Sequence, residues 1–148
     1  MELCAVAGTV TISCLLDQLR RDEGFRVYPY RDTVGKVTIG YGRNLDDVGI
    51  SPAEGDFLLA NDIKAATVSL ESHFPWVMGL DSVRQGVLLN MVFNMGIAGL
   101  SGFKDFLQKV ASAQYKQAGY AMLNSKWAEQ VGPRAQRLAI QMELGEWQ

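Results

Sequence analysis

Apolar side chains fall at Ile12, Leu15, Leu16 and Leu19, an i, i+3, i+4, i+7 set that predicts one helical face over about 12–23. Arg20 to Glu23 close the segment in charge, and Gly24 can leave a helix with positive φ, so Glu23 is expected at the end of a rigid element. From Phe25 to Gly42 the period changes. Val27, Tyr28, Tyr30, Val37, Thr38, Ile39 and Tyr41 are strand formers, and Val34-Gly35 reads as a turn between them. Asp32 and Thr38 are therefore expected on opposite arms of a compact hairpin, with Gly40 and Gly42 allowing special dihedrals at its end.

Ser51-Pro52-Ala53-Glu54 has the pattern of a helix start, with an N-cap serine, a proline in the first turn and a capping-box glutamate. Phe57, Leu58, Ala60, Ile63 and Leu70 continue it as a connector over about 51–71, against which the small sheet is expected to fold. Beyond His73-Phe74-Pro75, a helix is predicted from Asp81 through Met95, punctuated by Gly96 and Gly99. Ser101 is expected to cap a helix over Phe103 to Val110, Tyr115 to Leu123 reads as another, and Gly132-Pro133 opens the last. The pattern gives an α+β chain: a hairpin region at about 24–50, a connector, and a helical lobe at about 78–148 together with helix 12–23. The Phe and Met positions at helical spacing read first as core.

A chain of 148 residues is long enough to bury a core without metal or disulfide support. Its formal charge of -2, with no long block of one sign, argues against a nucleic-acid partner. Cys4 and Cys14 are too few for a disulfide framework, and their spacing is not a zinc pattern. His73 is the one histidine, so multi-histidine metal catalysis is excluded and a Ser-His-Asp mechanism would have to recruit it. Its place before Pro75 favours a plain role in the turn. No metal and no cofactor are expected. The uncharged run Leu3 to Leu16 is shorter than the roughly 20 residues a bilayer span needs, and Met1-Glu2 is not the positive start of a secretory signal. It reads as an apolar extension entering the first helix, with export or tethering as the alternative and no stable membrane insertion.

Among sixteen acidic residues, Glu23 and Asp32 stand out because one ends a helix and the other sits where the hairpin turns. Taken alone, each also fits a cap, a turn or a surface ion pair. The surrounding residues narrow the choice. Leu19-Arg20-Arg21-Asp22-Glu23-Gly24-Phe25, Tyr30-Arg31-Asp32-Thr33, Gly35 and Thr38-Ile39-Gly40-Tyr41-Gly42 closely resemble the T4-type phage lysozyme family, glycoside hydrolase family 24. Asp81-Ser82-Val83-Arg84, Asn90 to Gly96, Gly102-Phe103, Ser125-Lys126-Trp127 and Pro133 to Arg137 extend the resemblance from about Leu15 to Trp147.

The resemblance implies a single lysozyme-like domain over 1–148 that cuts bacterial peptidoglycan between N-acetylmuramic acid and N-acetylglucosamine. It implies Glu23 as proton donor to the leaving oxygen, Asp32 as the group that orients or activates water, and Thr38 as an aid in holding that water. Inversion follows from such a set, with the carboxyl groups roughly 6.5–9.5 Å apart. The family pattern also assigns Arg134 to the support of Glu23 and puts Asn94 and Trp127 among candidate substrate contacts; Arg137, facing acidic wall components, and Tyr30, on the hairpin side of the cleft, are further candidates. For Trp127 packing is the stronger alternative, and for Arg137 plain solvent exposure stands equally.

Two departures are visible. Arg43 stands where the T4-type pattern carries a histidine, with Asp62 as its expected partner; an arginine would keep a pair without titrating near neutral pH. The short path from Arg43 to Ser51 omits much of the family's additional sheet and loop. A lytic transglycosylase, which forms an anhydro product, and a catalytically silent wall-binding domain are the competing functions, and the intact Glu23, Asp32 and Thr38 favour hydrolysis. A monomer is expected, made in the bacterial host cytoplasm and released to the wall or periplasm at the end of a phage cycle. Tail-borne wall entry is the alternative setting.

Overall fold

The computed structural model describes residues 12–148. Cys4 and the first part of the Leu3 to Leu16 run, with its expected role, lie outside the described residues. The chain forms a small N-terminal sheet lobe joined by a helix to a mostly helical C-terminal lobe. It divides into two compact units, Met1–Gly55 and Asp56–Gln148, with the boundary inside the joining helix.

The first unit contains α1 (Ile12–Glu23), β1 (Arg26–Arg31), β2 (Val37–Gly40), β3 (Arg43–Asn44) and the start of α2 (Pro52–His73). Gly24 leaves α1 at φ 66°, the left-handed conformation expected of it. The strands form one antiparallel sheet in the order β1-β2-β3, with Tyr30 opposite Thr38 and Thr38 opposite Asn44. The β1 register slips between Arg26 and Tyr30. Pro29 lies in that interval and has no N–H to give a ladder, which an edge strand tolerates. The third strand was not expected: two residues are too few to show a period, and pairing with β2 alone defines them. The capping box at the start of α2 is formed, with Ser51 N donating to Glu54 Oε2 at 2.7 Å and Glu54 N to Ser51 Oγ at 3.3 Å.

In the second unit, a 3-10 turn at Pro75–Gly79 leads to α3 (Ser82–Ser101), α4 (Lys104–Ala111), α5 (Tyr115–Leu123), α6 (Lys126–Val131) and α7 (Pro133–Leu144). The Asp81 side chain caps α3 by accepting from Arg84 N at 3.0 Å. Gly96, at φ 74° and ψ 169°, breaks α3 where the sequence placed a punctuation. Ser101 does not cap α4: its hydroxyl donates back to Ile97 O, and Phe103 occupies the cap position without a side-chain bond. The short α6 was not expected as a separate helix; Ser125 caps it by accepting from Ala128 N.

The core of this unit joins Val87, Leu88 and Met91 of α3 to Phe106 and Val110 of α4, Met122 of α5 and Met142 of α7. At roughly 25 cal/mol per Å² of apolar surface removed from water, each fully buried side chain of this size contributes about 1.5–3 kcal/mol. Small residues let α5 and α7 meet closely, since a Cβ on Gly119 would lie 3.2 Å from Ala139 O. Among the described residues no single helix is long and apolar enough to cross a membrane, and no cluster of potential metal ligands is present.

Candidate active site

Glu23, Asp32 and Thr38 all belong to the first unit, as do Tyr30 and Arg43. Glu23 is the last residue of α1 and is exposed. Its carboxylate lies near the turn between β2 and β3: a Cβ placed on Gly42 would be 3.5 Å from Glu23 Oε2. Gly42 adopts φ 84°, so a side chain there would be strained as well as close to the carboxylate.

Asp32 begins the turn between β1 and β2 and is held by the backbone of that turn. Its Oδ1 accepts from Val34 N at 2.9 Å and from Lys36 N at 2.8 Å, while its own N–H donates to Lys36 O at 2.9 Å. Oδ2 has no hydrogen-bond partner among the described residues. One oxygen therefore fixes the carboxyl group and the other stays available.

Thr38, on β2, is only 3% exposed. Its hydroxyl donates to Lys36 O at 3.2 Å, which leaves oxygen lone pairs and no proton for any further contact. Tyr30 is half-buried, directly opposite Thr38, with the Arg26 guanidinium 5.5 Å from its ring centre.

Arg43 pairs with Glu54 in place of the expected Asp62. Glu54 already sits on the first turn of α2 through its capping box, so one carboxylate serves the cap with Oε2 and Arg43 with Oε1. The backbone bond from Ser51 is the main reason its carboxyl is held below the ordinary 4.5; the Ser51 side-chain bond and Arg43 act in the same direction. Asp62 makes no ion pair among the described residues. A capping glutamate eleven residues from an arginine carries no pairing signal of its own in the sequence.

The remaining candidates belong to the second unit. Trp127 is 8% exposed, packs edge-on against Phe103 and donates its indole N–H to Asn94 Oδ1 at 2.7 Å. Arg134 is half-buried and donates through Nε to Asn90 Oδ1 at 2.8 Å and through Nη2 to Asn90 O at 3.3 Å. Arg137 is exposed and has no ion pair among the described residues. His73 ends α2, exposed, with Nδ1 against Ser69 O. Asn90, which accepts both of those Arg134 bonds, was not singled out in the sequence. Its signal was the i, i+4 spacing with Asn94, which sets two amides on one face of α3.

The phage lysozyme family matches residues 20–141, a span that includes Glu23, Asp32, Thr38 and Arg134. The chain belongs to the phage lysozyme family. It is 30% identical over 164 aligned positions to probable T4-type lysozyme 1 of Dictyostelium discoideum, covering 90% of this chain and 96% of that protein. It is 31% identical to probable T4-type lysozyme 2 of the same organism, with the same shares covered. It also matches the pre-baseplate central spike protein Gp5 of Enterobacteria phage T4 at 27% identity, over 85% of this chain and 27% of that longer protein. The chain is accordingly a lysozyme-type glycoside hydrolase acting on peptidoglycan, of the family the motifs around Glu23 and Asp32 resemble.

Proposed function

We propose that this phage lysozyme family member hydrolyses the β-1,4 bond between N-acetylmuramic acid and N-acetylglucosamine with inversion at the anomeric carbon. Glu23 protonates the departing oxygen, Asp32 takes a proton from the attacking water, and Thr38 accepts a hydrogen bond from that water. Arg134 is assigned a supporting role, and Tyr30, Asn94, Trp127 and Arg137 are assigned as substrate contacts.

The observation that carries this reading is the division of labour within the Asp32 carboxyl group. Two backbone N–H groups on Oδ1 hold it in one orientation, while Oδ2 is left to act as a base. The Thr38 proton is committed to Lys36 O, so toward water the hydroxyl is an acceptor, the polarity needed to aim a water lone pair elsewhere.

The test compares the parent with Glu23→Gln and Asp32→Asn on purified peptidoglycan, following wall clearing, product mass and product anomer. Loss of turnover in both variants, products heavier by one water and an α-anomer formed first support the reading. Near-parent clearing by both variants would sink the assigned site. Anhydro products point to transglycosylation, and a first-formed β-anomer points to retention.

The biological setting we assign is lysis of a bacterial host, with synthesis in its cytoplasm and release to the wall. Fractionation of infected cells before and at lysis tests it, and recovery of the chain only in assembled particles would favour wall entry instead.

A further inference from the structure

We propose that Asp46 is a positioning residue for this reaction: through the peptide group that joins Lys36 to Val37, it fixes the carbonyl oxygen on which the Asp32 turn and the Thr38 hydroxyl both depend. The proposal rests on the reading of Asp32 and Thr38 as the groups that handle the attacking water. Lys36 O accepts from Asp32 N at 2.9 Å and from Thr38 Oγ1 at 3.2 Å. Val37 N, on the opposite edge of the same peptide plane, donates to Asp46 Oδ2 at 2.9 Å. All of these residues lie in the first unit.

The sheet explains why a side chain has this task. β3 is only the two residues Arg43–Asn44, so the chain leaves β2 just beyond them: Leu45 N still reaches Val37 O at 2.7 Å, and the Asp46 carboxylate takes the Val37 N–H that a longer strand would have received. A bond from an N–H to a carboxylate is stronger than one to a neutral carbonyl. Because the peptide group is planar, a charged acceptor on its N–H restrains its rotation and also strengthens its carbonyl oxygen as an acceptor. The loop that carries Asp46 is itself braced. Asp47 N donates to Asn44 Oδ1 at 3.0 Å, Asp47 Oδ2 accepts from Asn44 Nδ2 at 2.9 Å, and Asp47 Oδ1 pairs with Lys36 Nζ at 2.8 Å. Without the Asp46 bond the peptide group is free to tilt. Lys36 O tilts with it, which turns the Thr38 lone pairs and loosens the turn that aims Asp32 Oδ2.

The experiment compares Asp46→Ala and Asp46→Asn with the parent on intact protein, read as kcat and KM on peptidoglycan fragments at a temperature where circular dichroism shows each variant folded, with exchange of the Asp32 and Val37 amide protons followed by NMR. The expected result for Asp46→Ala is a loss of roughly 10-fold in kcat, the scale of a slightly misplaced reacting group, with little change in KM. Asp46→Asn keeps an oxygen that can accept from Val37 N and should recover most of that loss. Both amide protons should exchange faster with solvent in Asp46→Ala and stay near the parent in Asp46→Asn. Parent kcat in Asp46→Ala, equal impairment of the two variants, which would assign the effect to charge alone, or an unchanged Asp32 amide in Asp46→Ala would overturn the proposal. If alanine prevents folding, Asp46→Ser, one bond too short to reach Val37 N, takes its place. Parent activity in Asp32→Asn overturns the reading of Asp32 itself, while an inactive Asp32→Asn beside an unaffected Asp46→Ala overturns Asp46 alone.

Discussion

Trp127 gives its indole proton to Asn94 at 2.7 Å, and that bond settles which way the amide faces. Indole nitrogen is only a donor, so it must meet Oδ1, and the Asn94 NH₂ has no hydrogen-bond partner among the described residues. Asn94 therefore has only donors left to offer, the polarity its proposed substrate contact would use. Trp127→Phe should preserve the edge-on contact with Phe103 and lose about 1 kcal/mol of stability with the bond. Trp127→Ala should lose about 3–5 kcal/mol through the cavity it leaves. Urea unfolding of the two variants separates bond from packing, and equal losses would contradict this division.

Asp32 combines a turn-forming role with the proposed catalytic one, and isosteric replacement divides them. Asp32→Asn retains an Oδ1 that can accept from Val34 N and Lys36 N, so its melting temperature should stay near the parent's while activity is lost. Asp32→Ala removes both bonds and should cost a further 1–2 kcal/mol or about that. A calorimetric scan beside the activity assay checks both halves.

The Glu54 carboxyl is held below its ordinary value, so its contribution to stability is present above about pH 4.5 and is lost as the pH falls through the lower folded-state value. Glu54→Gln keeps an oxygen for the Ser51 cap and should flatten this acid limb of the stability profile. Asp62→Asn should leave the profile unchanged, since Asp62 has no ion pair among the described residues. Denaturant midpoints between pH 3 and 7 give the comparison; an Asp62 effect as large as that of Glu54 would reinstate the pairing expected from the sequence.

Arg84 fastens the end of α7. Its Nε and Nη2 donate to Met142 O and Glu143 O, Nη1 pairs with Asp81, and the guanidinium lies 3.8 Å from the Tyr115 ring centre. Burial alone would raise the Asp81 carboxyl, but its bonds to Arg84 outweigh that and hold it below 3.8. A positive group on the last carbonyls of a helix also meets the favourable end of its dipole. Arg84→Ala should cost about 2–4 kcal/mol, and Arg84→Lys should recover less than half because an ammonium lacks the planar fork. Gly145→Ala should also destabilise, because Gly145 has φ 71° and an added Cβ would stand 2.6 Å from Arg84 Nη1. Chemical denaturation measures all three, and a parent-like Arg84→Ala would refute the assignment.

Much of this was legible in the chain because the signals were local. The Gly24 stop, the Ser51-Glu54 box, the Val34-Gly35 turn and the Tyr115–Leu123 helix each rest on interactions within a few residues, and each formed where the pattern placed it. The Ser101 cap failed for a local reason too: a serine within a helix can bond to the carbonyl four residues back, and Ser101 does so with Ile97. The sites of Glu23, Asp32 and Thr38 at a helix end, a turn and a strand followed from the same kind of pattern.

Partnerships across long sequence separations were different. The sequence by itself determined the order of the longer elements, though not β3 or α6, together with the family and the residues most apt for sugar chemistry, because periodicity, caps and ordered motifs are written in neighbouring positions. Only the tertiary structure decided that Arg43 meets Glu54, that Asn90 grips Arg134, that Asn94 takes the Trp127 proton and that Asp32 leaves one oxygen unbonded. Each of those depends on where folded backbone carries a side chain of ordinary composition. An asparagine or a glutamate looks the same in the chain whether it faces water or completes another residue's hydrogen bonds, and packing is what makes the difference.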